Sequence, residues 1–169
     1  SLTTDMVPQL FVSVRETIAD LNGSPDSTVP FTVQVGDLVE GLCGSAEQAR
    51  QLNAAALAFV REARLGAPFL FTKGNHDITG PGAADAFKSV FHPFLGEQAA
   101  AFGGESKLTA ARYRAEYGDA LFCFFDAYDK ESLPWLEAEL ARRTARHCFV
   151  VIHPPVVPCN CNTMSVPKC

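Results

Sequence analysis

Residues 68–77 read Pro68-Phe69-Leu70-Phe71-Thr72-Lys73-Gly74-Asn75-His76-Asp77, a short apolar run that stops abruptly in Gly-Asn-His-Asp. A run of this length before a turn former predicts a buried strand, and the residues just past its end are polar and able to bind metal. The same arrangement occurs twice more. Phe31-Thr32-Val33-Gln34-Val35 is β-prone and ends at Gly36-Asp37. Cys148-Phe149-Val150-Val151-Ile152 is continuously apolar, as a strand buried on both faces would be, and ends at His153-Pro154-Pro155.

Helical patterns separate these runs. Leu10, Val14, Ile18 and Leu21 predict an amphipathic helix over residues 5–22, stopped by Asn22-Gly23. Ser45 with Gln48 three positions on forms a capping box for an Ala-rich helix that reaches about Leu65 and closes at Gly66. A weaker helical signal covers residues 82–90. Tyr113 to Tyr117, Gly118-Asp119 and Ala120 to Phe125 predict a hairpin with a primed two-residue turn. Ser132 is expected to cap a further helix with Pro134 in its first turn, and Glu139–Arg143 to form a surface pair at i,i+4. Strands alternating with helices predict an α/β fold with covered sheets.

A chain of 169 residues suits one domain, and no repeat, low-complexity stretch or linker divides it. Hydrophobic residues at 47% and charged residues at 20% match a soluble globular protein. The formal charge of −5, with no basic stripe, argues against a nucleic-acid partner. No apolar run approaches the ~20 residues of a membrane span, and the first residues lack the order of a signal peptide, so no membrane partner is expected. Cys123 and Cys148 lie in apolar runs and read as small buried hydrophobes, Cys43 as filler in a Gly-rich loop. Cys159, Cys161 and Cys169 form a C-x-C…C tail, open to a disulfide or a tail metal; the compartment is left open with them.

In open α/β sheets the ligand crevice lies outside the carboxyl ends of the strands, so Asp37, Asn75-His76-Asp77 and His153 should converge on one edge. Carboxylate oxygen, amide oxygen and imidazole nitrogen together suit a borderline divalent ion such as Mn, Fe or Zn. The competing reading of Asn75-His76-Asp77 is a helix N-cap cluster, of Gly36-Asp37 a plain turn, and of His153 a satisfied strand-end histidine.

Three stretches occur in a telling order: Val35-Gly36-Asp37-Leu38-Val39-Glu40, Lys73-Gly74-Asn75-His76-Asp77 and Val151-Ile152-His153-Pro154-Pro155. They resemble three successive motifs of the calcineurin-like metallophosphoesterases, and Phe122 to Trp135-Leu136, with Asp126 at a strand end, resembles the segment between the last two. The resemblance spans about residues 29–157. It implies a four-layer α/β/β/α sandwich and a hydrolase for a small phosphorylated substrate, a phosphomonoester or phosphodiester. It implies two divalent metal ions, bridged by Asp37, with Asn75 and His153 holding the second. His76 would assist the leaving group and Asp77 would orient His76. Two such cations clamp the phosphoryl oxygens and lower the pKa of a bridging water, the in-line nucleophile.

Two motifs of that family, Asp-x-His and Gly-His-x-His, do not occur in this sequence. The expectation is therefore a partial metallophosphoesterase domain over residues 1–157 with a Cys-containing tail at 158–169 set apart from it. Glu40 stands where the family often has Asp, with no Tyr there, which disfavours a purple acid phosphatase. The alternative function is a catalytically inactive binding module on the same fold. His147 and His92 read as structural, His147 at the opposite sheet edge from His153 and His92 in a loop packed by aromatics. Lys73 reads as a solvated lysine, with contact to an anionic substrate the competing reading; Phe91, Phe94 and Phe102 read as core, with a substrate pocket the alternative.

Overall fold

The strand at Phe69–Phe71 (β2) has all three residues buried, and around it the core assembles. A computed structural model of the chain describes residues 2–25 and 27–155. The first helix, α1, spans Leu2–Asn22, followed by strand β1 (Thr32–Gln34), helix α2 (Ala46–Ala63) and then β2. A 3-10 turn at His76–Ile78 leads into α3 (Ala83–Ala100). Strands β3 (Tyr113–Tyr117) and β4 (Ala120–Phe124), helix α4 (Ser132–Arg142) and strand β5 (His147–Val151) complete the described residues. The class is mixed α/β.

Strands β1 and β2 pair in parallel with Gln34 opposite Phe71, α2 providing the crossover that parallel pairing requires. β3 and β4 form an antiparallel hairpin, and β5 joins β4 in parallel with Phe124 opposite Val151. Parallel pairing sends both members of a pair out of the sheet at the same edge. Residues after Gln34 and Phe71 therefore leave together, as do those after Phe124 and Val151. The two sheets pack through Phe71, Tyr113, Phe124, Phe31 and Phe122: Phe31 is edge-on to Phe122 at 5.0 Å, while Tyr113 and Phe124, cross-strand partners within one sheet, stack their rings 4.5 Å apart. The α3 residues Phe87, Phe91 and Leu95 close the core from the helical side.

Several local expectations are corrected. α3 does not stop near residue 90 but continues to Ala100 through Pro93. Proline deletes one i→i−4 bond, yet Phe91, Leu95 and Ala99 are fully buried on either side of it, and tertiary packing carries the helix past the break. His92 consequently lies in a helix rather than a loop; it is buried, edge-on to Phe87 at 6.0 Å, and burial pushes its imidazole below the ordinary value of 6.5. Ser132 is the first residue of α4 and is buried; Glu131 precedes it without a side-chain cap bond. Glu139 is not a surface partner of Arg143. It is buried and binds Arg114 on β3 and Arg142 one helical turn on. β5 is not covered on both faces: it is the outer strand of its described sheet, and Phe149 and Val150 are 51% and 44% exposed.

The capping box at α2 forms with a shift. Ser45 Oγ accepts the Gln48 N–H at 3.2 Å, while Gln48 Oε1 reaches back to the Gly44 N–H at 2.9 Å. The helix closes at Arg64 in the left-handed region (φ 46°), two residues before Gly66. Gly118 supplies the positive φ of 57° that the β3–β4 turn requires. Among the described residues no helix is long and apolar enough to cross a membrane.

Candidate metal centre

Asp37, Asn75 and His153 meet at the edge where both parallel strand pairs end. His153 Nε2 lies 3.0 Å from Asn75 Oδ1 and 3.4 Å from Asp37 Oδ2. His153 Nδ1 lies 2.6 Å from the carbonyl oxygen of Val35, the last residue before Gly36. A carbonyl can only accept, so Nδ1 carries a proton, and in the neutral ring Nε2 is then the nitrogen with a lone pair. Nε2 faces two acceptor oxygens. Three acceptors aimed at one another repel unless a proton or a cation sits among them.

Asp77 builds the loop that carries Asp37. Its carboxylate is fully buried and accepts four backbone N–H bonds: Oδ2 from Gly74 (2.8 Å) and Asp37 (3.0 Å), Oδ1 from Leu38 (2.8 Å) and Val39 (3.3 Å). Burial pushes its carboxyl above the ordinary value of 3.8, against the pull of those four bonds. The expectation that Asp77 orients His76 is therefore corrected. The ring of His76 rests by Nδ1 on the carbonyl of Glu40, and Asp77 holds backbone from both motifs in one place. His76 also donates its backbone N–H to Asp37 Oδ1 at 2.9 Å, which leaves Asp37 Oδ2 facing His153.

Two glycines make this approach possible. A Cβ on Gly36 would stand 2.7 Å from both the Gly74 nitrogen and His153 Nδ1, and a Cβ on Gly74 would fall on Asp37 Oδ1. Gly36 has φ 101° and Asp37 φ 56°, so the loop turns through the left-handed region at two consecutive residues. The Gln34 amide grips Gly36 from both sides, accepting its N–H at 2.7 Å and donating to its carbonyl at 2.5 Å. Asn75 precedes the 3-10 turn at the N-cap position but makes no side-chain cap bond, so the N-cap reading of this cluster does not hold for it.

These residues fit a divalent cation. Separations of 3.0 and 3.4 Å match the edges of an octahedron or tetrahedron whose corners lie ~2.1 Å from its centre, the spacing a divalent cation asks of its donors. An imidazole that donates its far N–H to a backbone carbonyl is the usual support for a metal-ligating histidine. Among the described residues no three His, Cys, Asp or Glu side chains gather into a metal-holding group; the donors here are one carboxylate, one imidazole and one amide.

The remaining candidates lie elsewhere. His147 is exposed at the opposite end of β5 from His153. Phe91 and Phe94 are buried in the core, and Phe102 packs edge-on to Phe31 at 4.9 Å. Cys43, Cys123 and Cys148 are free thiols, and burial with the nearby Cys148 pushes the Cys123 thiol up to about 12. Cys159, Cys161 and Cys169 lie outside the described residues. Lys73 is not a solvated lysine: its ammonium is 2.6 Å from Asp126 Oδ2 and mostly buried. A cleft of about 550 Å³ between α3 and Ser106–Leu108 is lined by Lys88, His92 and Lys107 and by none of the site residues.

Sequence reasoning missed the carbonyls of Val35 and Glu40, which hold the two imidazoles, because main-chain acceptors carry no residue-type signal. It also missed the Lys73–Asp126 pair, although both follow strand ends by two residues and so reach the same edge. No protein-family model matches the chain, and no curated protein matches it.

Proposed function

We propose that this chain carries the site of a metal-dependent phosphoester hydrolase of the calcineurin-like type, on a four-layer α/β/β/α sandwich, acting on a phosphomonoester or phosphodiester. The observation that supports this reading is the meeting of Asp37 Oδ2, Asn75 Oδ1 and Nε2 of His153 from two different sheets, with the far nitrogen of that imidazole turned to the Val35 carbonyl. Asp37, Asn75 and His153 would hold a divalent ion such as Mn, Fe or Zn, with Asp37 shared by a second. When bound, such ions supply Lewis acidity toward a phosphoryl oxygen and a nucleophilic water at neutral pH.

The chain's own residues have separable tasks. Asp77 fixes the Gly36–Val39 turn and Gly74 in one frame, so that Asp37 and Asn75 face His153 without rearrangement. Val35 fixes the tautomer of His153. His76 keeps a proton on Nδ1 against the Glu40 carbonyl, which leaves Nε2 as the atom that, when protonated, donates to a departing oxygen.

The test is metal content by elemental analysis, with turnover of p-nitrophenyl phosphate and bis-p-nitrophenyl phosphate in added Mn²⁺. Wild type is expected to take up metal and turn over. Asp37→Asn should lose metal, because it removes the only carboxylate among the three donors. His76→Ala should keep metal and lose ~10²–10⁴-fold in turnover. Metal lost with His76 overturns this division of roles. Metal without turnover in wild type selects the inactive binding module, and neither metal nor turnover overturns the site itself.

A further inference from the structure

Three consecutive residues at the end of β2 each bond across to the other sheet. Both backbone groups of Phe71 engage the Tyr113 hydroxyl, which accepts the N–H at 3.0 Å and donates to the carbonyl at 2.9 Å. Thr72 Oγ1 donates to the Phe125 carbonyl at 2.9 Å. Lys73 Nζ lies 2.6 Å from Asp126 Oδ2, with the lysine side chain 13% exposed and the aspartate 2%. The Lys73 ammonium also lies 5.9 Å from the centre of the Tyr128 ring, and Asp126 Oδ1 accepts the Tyr128 N–H at 3.0 Å.

This ladder runs directly into the candidate centre. Beyond Lys73 come Gly74 and Asn75. On the facing side Phe125 donates its N–H to the Val151 carbonyl at 2.8 Å, two residues before His153. The Lys73–Asp126 pair is thus the last side-chain cross-link before the point where Asn75 and His153 face each other across 3.0 Å. A buried ion pair contributes little net stability, because desolvation offsets its Coulomb attraction, but losing one partner is costly and its geometry is narrow.

We propose that Lys73 and Asp126 are positioning residues of the metal centre, a clamp that sets the distance between the Asp37–Asn75 half and the His153 half. The inference rests on the cation reading above and deepens it: the pair touches neither cation nor substrate and acts through the spacing of the ligands.

The test is the Mn²⁺ dissociation constant, from electron paramagnetic resonance of free Mn²⁺, for wild type, Lys73→Met, Asp126→Asn and the double variant. Far-UV circular dichroism and thermal melting run in parallel. A clamp predicts that each single variant weakens binding roughly tenfold, as loss of a supporting partner does. The double variant should lose about as much as either single, because both remove one bond. Thr72→Val, a milder cut in the same ladder, should weaken binding about two- to fivefold and guards against misfolding of the charge variants. A through-space charge effect predicts that Lys73→Met tightens binding while Asp126→Asn weakens it; that result overturns the clamp. Lowered melting temperatures with unchanged dissociation constants also overturn it, leaving a purely structural pair. Absence of Mn²⁺ uptake by wild type overturns the cation reading instead, before any variant is compared.

Discussion

The two halves of the candidate centre are built in opposite ways. The half carrying Asp37 and Asn75 is over-determined. Asp77 accepts four backbone bonds inside it, the Gln34 amide holds Gly36 at both ends, and His76 donates its N–H to Asp37. The half carrying His153 follows an outer strand whose Phe149 and Val150 are exposed, and its imidazole is held by a carbonyl of the first half, Val35. The difference teaches where the geometry is stored. A left-handed φ at a non-glycine residue such as Asp37 costs on the order of 1 kcal/mol and persists only where the surroundings leave no alternative. The first half supplies those surroundings, and the second is placed against it.

The largest expected effect follows from removing the keystone of the rigid half. Asp77→Ala leaves four backbone donors without their acceptor in a fully buried position, and should cost about 3–5 kcal/mol in urea denaturation. Asp77→Asn should cost nearly as much, because its NH2 group would face two N–H donors. A loss below about 1 kcal/mol would mean that water replaces the carboxylate, and the contrast between the halves would collapse. Next in size is Gly74→Ala. Its Cβ would fall on Asp37 Oδ1, so the loop must shift, at about 1–3 kcal/mol, and Mn²⁺ affinity should fall with it. Stability lost without any change in Mn²⁺ affinity would separate Asp37 from the centre.

How much of this was legible in the sequence divides along the same line. Strand ends could be read because an apolar run that stops at Gly-Asp, Gly-Asn-His or His-Pro changes character within one residue, and parallel strands bring such ends to one edge. What depends on partners forty residues away could not be read. Asp77 beside His76 suggests a carboxylate–imidazole pair, but its bonds go to the backbone of residues 37–39 and 74. Glu139 and Arg143 have the spacing of a surface pair, yet a cross-sheet arginine, Arg114, draws Glu139 inward. The helical signal over residues 82–90 stops short because propensity is local; the buried Phe91 and Leu95 that carry the helix through Pro93 are tertiary. Exposure of β5 is likewise a property of its outer place in the described sheet, and a uniformly apolar run cannot report that.

The smallest expected effect on stability is at His153, and it is the sharpest probe of the contrast. Its side chain is 18% exposed, and it meets the other sheet at the Val35 carbonyl, Asn75 Oδ1 and Asp37 Oδ2, oxygens that water can satisfy once the imidazole is gone. His153→Ala should therefore change the free energy of unfolding by less than about 1 kcal/mol. Its effect on Mn²⁺ affinity should be far larger, exceeding the ~10–100-fold that loss of a mere supporting partner brings, because a donor itself is removed. The two measurements must part company: a centre stored in the first half loses a ligand at His153 and keeps its fold. If His153→Ala destabilises the protein as much as Asp77→Ala, the imidazole is a strut between the sheets. If it leaves both stability and Mn²⁺ affinity untouched, the cation, where one binds, is held by Asp37 and Asn75 without it.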